Sequence, residues 1–152
     1  SHLHRIRKER LNGERGFTLT ELLVVIVIIG ILVAIAIPVV LSQRTAAYER
    51  AVQSDVRNAV PAIESYYADR AEYPATFTVI GGNSTSEAAV PEGVDLNVSD
   101  DVTIVYTKLT TNPVTYSIKG SHAELGTRSW TYTSVDSRTE ESATGATTPE
   151  GD

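Results

Sequence analysis

The chain has 152 residues and a formal net charge of −6, which is unevenly distributed along it. Residues 1–16 hold five cationic and two anionic side chains, a net of +3, so the other 136 residues carry −9. This length predicts one modest globular domain with an additional element. The absence of cysteine excludes disulfides, thiolate metal sites and cysteine nucleophiles. The acidic remainder argues against unaided nucleic-acid binding.

A long apolar segment follows the basic start. Residues 22–41 read LLVVIVIIGILVAIAIPVVL and contain no charge. Twenty residues of helix rise about 30 Å, the thickness of a hydrocarbon core, and a helix satisfies its own backbone groups there. The basic flank predicts that residues 1–16 stay in the cytoplasm and that the C-terminal part lies outside. Pro38 cannot donate to the Ala34 carbonyl, which predicts a kink.

The junction between the basic start and the apolar segment carries a motif. Residues 13–25 read GERGFTLTELLVV. This resembles the prepilin motif of type IV pilins and pseudopilins, in which a short basic leader ends in Gly, Phe follows, and Glu is the fifth residue of a hydrophobic stretch. The matching residues are Gly16, Phe17 and Glu21, and Pro38 falls where family members commonly carry a proline.

The resemblance implies a processing site and an assembly residue. A prepilin peptidase is expected to cut between Gly16 and Phe17 at the cytoplasmic face, and the new Phe17 amine is expected to be N-methylated. Glu21 is expected to set the assembly register by pairing with the Phe17 ammonium of a neighbouring subunit. An ionisable group at the border of a membrane helix itself indicates a functional role. The alternative is a capping or snorkelling acid that makes no contact between subunits.

A helical pattern continues beyond the apolar segment. Val52, Val56 and Ile63 recur at helical spacing, which predicts an amphipathic helix to about residue 70, within the segment 44–74, that packs on a domain. Pro61 predicts a bend or a local break. The expected fold class is α+β, a pilin fold in which a hydrophobic-then-amphipathic helix packs on a small antiparallel β-sheet. The predicted segments are a leader (1–16), a transmembrane or filament-core helix (17–43), the amphipathic helix (44–74), a β-rich head (75–135) with strands at 102–109, 114–119 and 129–135, and a disordered acidic tail (136–152).

No set of residues predicts catalysis, and we expect no cofactor and no metal. Asp95, Asp100 and Asp101 carry oxygen ligands suited to a hard cation, but turn-forming acids are the favoured interpretation. A lone His122 between strands is interpreted as a surface residue. Tyr106, Tyr116 and Trp130 are interpreted as sheet packing.

The family resemblance predicts a structural subunit of a type IV pilus filament. Its expected partners are further copies of the chain in a helical filament, prepilin peptidase, an inner-membrane assembly platform, minor pilins, and membrane lipid before assembly. The chain would span the inner membrane first and reach a cell-surface pilus later. One alternative is a pseudopilin of a type II secretion or DNA-uptake system. Another, from a different class, is an unprocessed membrane-anchored extracellular binding domain.

Overall fold

The computed structural model describes residues 16–82 and 90–143. The described part contains one long α-helix followed by five β-strands, with a short 3-10 helix at Ala123–Leu125 between the third and fourth strands. This confirms the predicted α+β fold class. The elements are α1 (Leu19–Arg70), β1 (Phe77–Ile80), β2 (Val102–Leu109), β3 (Thr115–His122), β4 (Ser129–Thr133) and β5 (Arg138–Ser142).

The chain divides into two units, residues 1–42 and residues 43–152. In the first unit the apolar part of α1 buries none of its side chains within the chain. By length and composition, α1 contains a segment able to cross a membrane. The predicted leader, residues 1–16, lies outside the described residues except for Gly16.

The second unit holds the hydrophobic core. The sheet has the order β1-β2-β3-β4-β5, and every neighbouring pair is antiparallel. One face of α1 packs on it because its apolar side chains recur every three or four residues. Gly120 on β3 permits the close approach, since a Cβ there would lie 2.5 Å from Val56 Cγ2 and 2.8 Å from Val52 Cγ1. The fully buried residues of the hydrophobic core include Val52, Val56, Ile63, Phe77, Val102, Ile104, Tyr106, Tyr116 and Ile118.

A buried carboxylate fastens the loop before β2 to α1. Asp55 is 5% exposed. Its Oδ2 accepts a hydrogen bond from the Ser99 backbone N–H at 2.8 Å, and its Oδ1 accepts from the Ser99 hydroxyl at 3.2 Å. Gly81 fits beneath this loop because a Cβ there would lie 1.8 Å from the Ser99 carbonyl oxygen. Asp55 and Gly81 thus hold the loop against the helix and the end of β1.

Several predicted boundaries need correction. The helix ends at Arg70, as its apolar spacing predicted, although the predicted segment extended to residue 74. It continues through Pro61, so the predicted local break is wrong. Pro61 and Arg57 are both exposed, so the carbonyl that loses its helical partner can be hydrated. The bend at Pro61 and the kink at Pro38 stay predictions.

The sheet is larger than predicted. The prediction missed β1. It placed β3 at 114–119, so it ended that strand three residues before His122, and it extended β4 two residues beyond Thr133, to residue 135. The predicted start of the disordered tail, at residue 136, is too early. Arg138–Ser142 pair with β4, from Thr133↔Arg138 to Ser129↔Ser142. Backbone pairing forms this strand although all its side chains are exposed. Residues 144–152 lie outside the described residues.

His122 is not a surface residue, contrary to the prediction. It is buried at the end of β3 and stacks on Tyr48 of α1 with ring centroids 4.3 Å apart. Its Nδ1 accepts a hydrogen bond from the Glu124 backbone N–H at 3.0 Å. His122 is therefore a packed structural residue that caps the 3-10 helix.

Candidate processing and assembly site

The predicted processing residues precede the first turn of α1. Phe17 is 91% exposed. A Cβ added to Gly16 would meet nothing within 4 Å among the described residues, and its φ is outside the left-handed region. No described contact within the chain therefore requires glycine at position 16.

A reciprocal capping box closes the N-terminus of α1. The Thr18 backbone N–H donates to Glu21 Oε2 at 3.0 Å, and the Glu21 backbone N–H donates to Thr18 Oγ1 at 3.2 Å. The Leu22 N–H donates to the Thr18 carbonyl at 3.2 Å. These contacts satisfy backbone donors that the first helical turn would otherwise leave unpaired. The Thr-x-x-Glu spacing is itself a sequence signature of such a box and would have identified Thr18 as the cap.

The capping hydrogen bond uses only one of the two carboxylate oxygens of Glu21. Oε2 is engaged by Thr18, whereas Oε1 has no hydrogen-bond partner among the described residues. The box uses atoms of Thr18 and Glu21 only, so hydrolysis of the Gly16–Phe17 bond leaves it intact. Glu21 lies in the first turn of α1, where the positive end of the helix dipole favours its charge. The carboxylate can therefore cap its own helix and still accept from a cation.

The apolar surface of α1 begins directly after Glu21. Aliphatic side chains from Leu22 to Leu41 are 45–65% exposed on every face of the helix. Soluble monomers rarely expose contiguous apolar patches larger than a few hundred Å². A helix that is apolar all round is typical of a buried or membrane environment. No described residue of the chain supplies that environment.

A second cluster, of tyrosines around Glu64, lies in the globular unit. The Tyr116 hydroxyl donates to Glu64 Oε1 at 2.6 Å. Burial and this hydrogen bond raise the pKa of Tyr116, and burial raises the pKa of Tyr106. The Tyr73 ring lies 5.2 Å from that of Tyr116, and its pKa is also raised, chiefly by burial. These contacts join α1 to the sheet and to the segment after the helix, as expected for Tyr106 and Tyr116.

The acids considered for a hard cation lie in the loop before β2. Asp95 and Asp100 line a polar cleft, whereas Asp101 precedes β2 and adopts a positive φ of 60°. The described residues contain no group of three or more His, Cys, Asp or Glu side chains that could hold a metal ion.

Comparison with known proteins finds similarity in the N-terminal half of the chain. The prokaryotic N-terminal methylation motif matches residues 11–37. The chain is 35% identical over 83 residues to a type II secretion system core protein G of Klebsiella michiganensis, covering 55% of this chain and 58% of that protein. In these stretches the chain resembles type IV pilins and pseudopilins. Core proteins G of Pseudomonas aeruginosa (38% over 63 residues, 41% of this chain and 44% of that protein) and Pectobacterium carotovorum (33% over 79 residues, 52% and 51%) are also similar.

The methylation motif overlaps the exposed N-terminal part of α1, from Leu19 to Ile37. The chain spans about half the length of the curated relatives that it matches. No solved structure matches it. The particular role of this pilin-like chain follows as a proposal.

Proposed function

We propose that this chain is a pseudopilin of a type II secretion system. In this proposal it is cut between Gly16 and Phe17 and then assembled through α1 into a helical filament. The observation that carries the proposal is the prepilin motif at residues 11–37 together with the similarity to core proteins G of type II secretion systems. These relatives favour a pseudopilin over the type IV pilus subunit predicted from the motif alone.

The first proposed step is hydrolysis of the Gly16–Phe17 peptide bond by a prepilin peptidase. Water adds to the Gly16 carbonyl, the bond to the Phe17 nitrogen breaks, and the leader leaves as a carboxylate. Phe17 then begins the mature chain with a free amine. The neutral nitrogen takes a methyl group from a sulfonium methyl donor, which leaves as a thioether, and the methylated amine is an ammonium group at neutral pH. The exposure of Phe17 and the open space around Gly16 support access to this bond.

The second proposed step transfers α1 from lipid to other copies of the chain. The aliphatic side chains of residues 22–41 face outward all round the helix. Fully exposing such a side chain to water costs about 1.5–3 kcal/mol relative to burying it. Because lipid and neighbouring helices are both apolar, the segment can change partners without passing through water. Before assembly the chain would sit in the inner membrane with its N-terminus in the cytoplasm, and afterwards in a filament outside it.

The third proposed element is the register of assembly. Glu21 Oε1 is the acceptor for the Phe17 ammonium of a neighbouring copy, while Oε2 keeps its bond to the Thr18 N–H. A copy placed one step out of register would leave both charges unpaired in an apolar core, which is strongly unfavourable. The assembly platform and minor pilins of the host would act on this processed form.

The role of Glu21 in pairing is separable from its role in capping. Glu21→Gln keeps an oxygen that accepts from the Thr18 N–H but removes the charge, whereas Glu21→Ala removes both. We expect both variants to be cut normally and to give at most about a tenth of the wild-type filament yield. Normal filaments from Glu21→Gln alongside a defective Glu21→Ala would show that only capping matters and would refute the charge pair.

The secretion role is tested in the native host. We expect deletion of the gene to stop release of secreted enzymes into the medium while surface pili persist, and the wild-type gene to restore release. Loss of surface pili with unchanged secretion would establish the pilus subunit instead. An unprocessed chain that supports neither process would favour the membrane-anchored binding domain.

A further inference from the structure

An exposed face of α1 in the globular unit carries two arginines without an anionic partner among the described residues. Arg50 and Arg57 are exposed. Their spacing of seven residues places both on one side of the helix, about 10 Å apart and opposite the face that buries Val52 and Val56. The ion pairs of the described residues use Lys108 and Arg128 as cations. Arg57 Nε donates only to the Gln53 carbonyl of its own helix, at 3.3 Å.

A cleft of the opposite charge lies on the same unit. It measures about 700 Å³ and is formed by α1 and the loop before β2. The carboxylates of Asp95 and Asp100 are exposed there, next to the polar side chains of Ser54 and Asn58. The third carboxylate, that of Asp55, is occupied by its two hydrogen bonds to Ser99. We call this feature the acidic cleft.

Two surfaces of opposite charge on one chain, neither of them ion-paired within the described residues, suit a contact between unlike faces of successive copies. A contact of this kind produces an open helical assembly when its rotation does not close a ring. We propose that Arg50 and Arg57 of one copy dock into the acidic cleft of the next copy. This inference rests on the filament assembly proposed above and assigns it a contact in the globular unit.

The chemistry of the two surfaces fits this occupant. A guanidinium group presents a planar fork of donors that matches a carboxylate, and such charge-assisted pairs are stronger than neutral hydrogen bonds. Oxygen atoms of Ser54 and Asn58 supply further acceptors at the cleft. Opposite charges across an interface fix its alignment because a shifted partner brings like charges together. The contact thus specifies the order of the globular units independently of Glu21.

Charge reversal and restoration test the contact in the full chain, expressed in a host with its assembly machinery. We expect R50E/R57E and D95R/D100R each to lower the filament yield at least about tenfold. The combined four-residue variant has both surfaces reversed and is expected to recover to within about threefold of wild type. The matched control is K119E/R138E, which makes the same change in charge at exposed residues of β3 and β5 and should assemble normally.

The outcomes separate this contact from the proposed function. Wild-type filaments with processed subunits, together with normal assembly of R50E/R57E, would overturn the contact and leave the function standing. Failure of wild type to be cut or to assemble would instead contradict the proposed function. Loss of assembly in D95R/D100R but not in R50E/R57E would mean that the cleft holds another occupant, such as a divalent cation, and would also overturn the contact.

A cross-linking measurement covers the case in which reversed charges impair folding. The chain has no cysteine, so any disulfide between copies must involve the introduced cysteines. Copies with Arg57→Cys and copies with Asp95→Cys, carrying different tags, are co-expressed and filaments are oxidised. We expect a mixed disulfide dimer, and much less of it with Lys119→Cys in place of Arg57→Cys. Intact filaments that yield no mixed dimer would overturn the contact.

Discussion

The two parts of α1 have the same secondary structure and opposite surroundings. In residues 43–70 the helix buries one face against the sheet, with Val52, Val56 and Ile63 at its centre. In residues 19–42 it buries no side chain, although the sequence there is more apolar. The globular part is explained by contacts within the chain. The apolar part has no such contacts among the described residues, and the proposed function places it first in lipid and then against other copies.

The largest expected effect concerns the one bond that joins the leader to the apolar part. Gly16→Leu should abolish cleavage because, in the proposed function, the peptidase needs a backbone without a Cβ at this position, whereas no contact of the described residues requires glycine there. Intact mass of membrane-extracted protein measures the result. Gly30→Leu is the control, since a Cβ at Gly30 also meets nothing within 4 Å, and it should be cut normally. Normal cleavage of Gly16→Leu would contradict the processing site.

A matched pair of isoleucines in α1 tests the comparison directly. Ile63 is buried and Ile31 is exposed. Ile63→Ala should lower the free energy of unfolding of the globular unit by about 2–5 kcal/mol because it leaves a cavity. Ile31→Ala should change it by less than about 0.5 kcal/mol. Denaturant unfolding in detergent, followed by Trp130 fluorescence, measures both, and equal losses would refute the division into two environments.

Removal of the Asp55 carboxylate, which holds the loop before β2 against α1, should have a smaller effect. Asp55→Ala leaves the Ser99 N–H and hydroxyl without their acceptor and should cost about 1–3 kcal/mol. Hydrogen exchange should show faster opening of the loop before β2, with β3 and β4 unchanged. Exchange that rises uniformly over the whole sheet would show that Asp55 supports the core and not the loop alone.

The smallest effect concerns the buried tyrosines and depends on pH. The pKa of Tyr116 is raised from its ordinary value of 10.0, so the fold favours the neutral phenol. The contribution of the neutral Tyr116 phenol to the free energy of unfolding is fully present below pH 10. It is lost as the pH rises toward the folded-state pKa. Tyr116→Phe should cost about 1 kcal/mol at pH 7 by removing the bond to Glu64. The difference from wild type should shrink above pH 10, and a constant difference would contradict this account.

The sequence predicted the fold class, α1 and the core of the sheet because these depend on strong periodic patterns. Val52, Val56 and Ile63 recur at helical spacing, and β2 alternates between buried and half-buried residues. The prediction missed β1 because it has only four residues. It missed β5 because backbone pairing with β4 forms that strand and its side chains are all exposed. Hydrophobic periodicity carries no signal for such an edge strand.

Some features of the candidate site and its surroundings were predictable from the sequence and others were not. Glu21 was recognisable because an acid beside an apolar segment is unusual, and the Thr-x-x-Glu spacing encodes its capping bond to Thr18. The burial of His122 was not predictable, because it depends on stacking against Tyr48, which is 74 residues earlier in the chain. The acidic cleft was likewise not predictable, because its walls are α1 and the loop before β2, which Asp55 joins over 44 residues of sequence.

Electron cryomicroscopy of filaments isolated from the native host tests the central claim most directly. The account predicts that each subunit begins at Phe17, that residues 22–41 pack against other copies in the filament core, and that Glu21 lies within reach of a neighbouring Phe17 nitrogen. Density for the leader before Phe17, or an apolar segment that makes no contact with other copies, would contradict it.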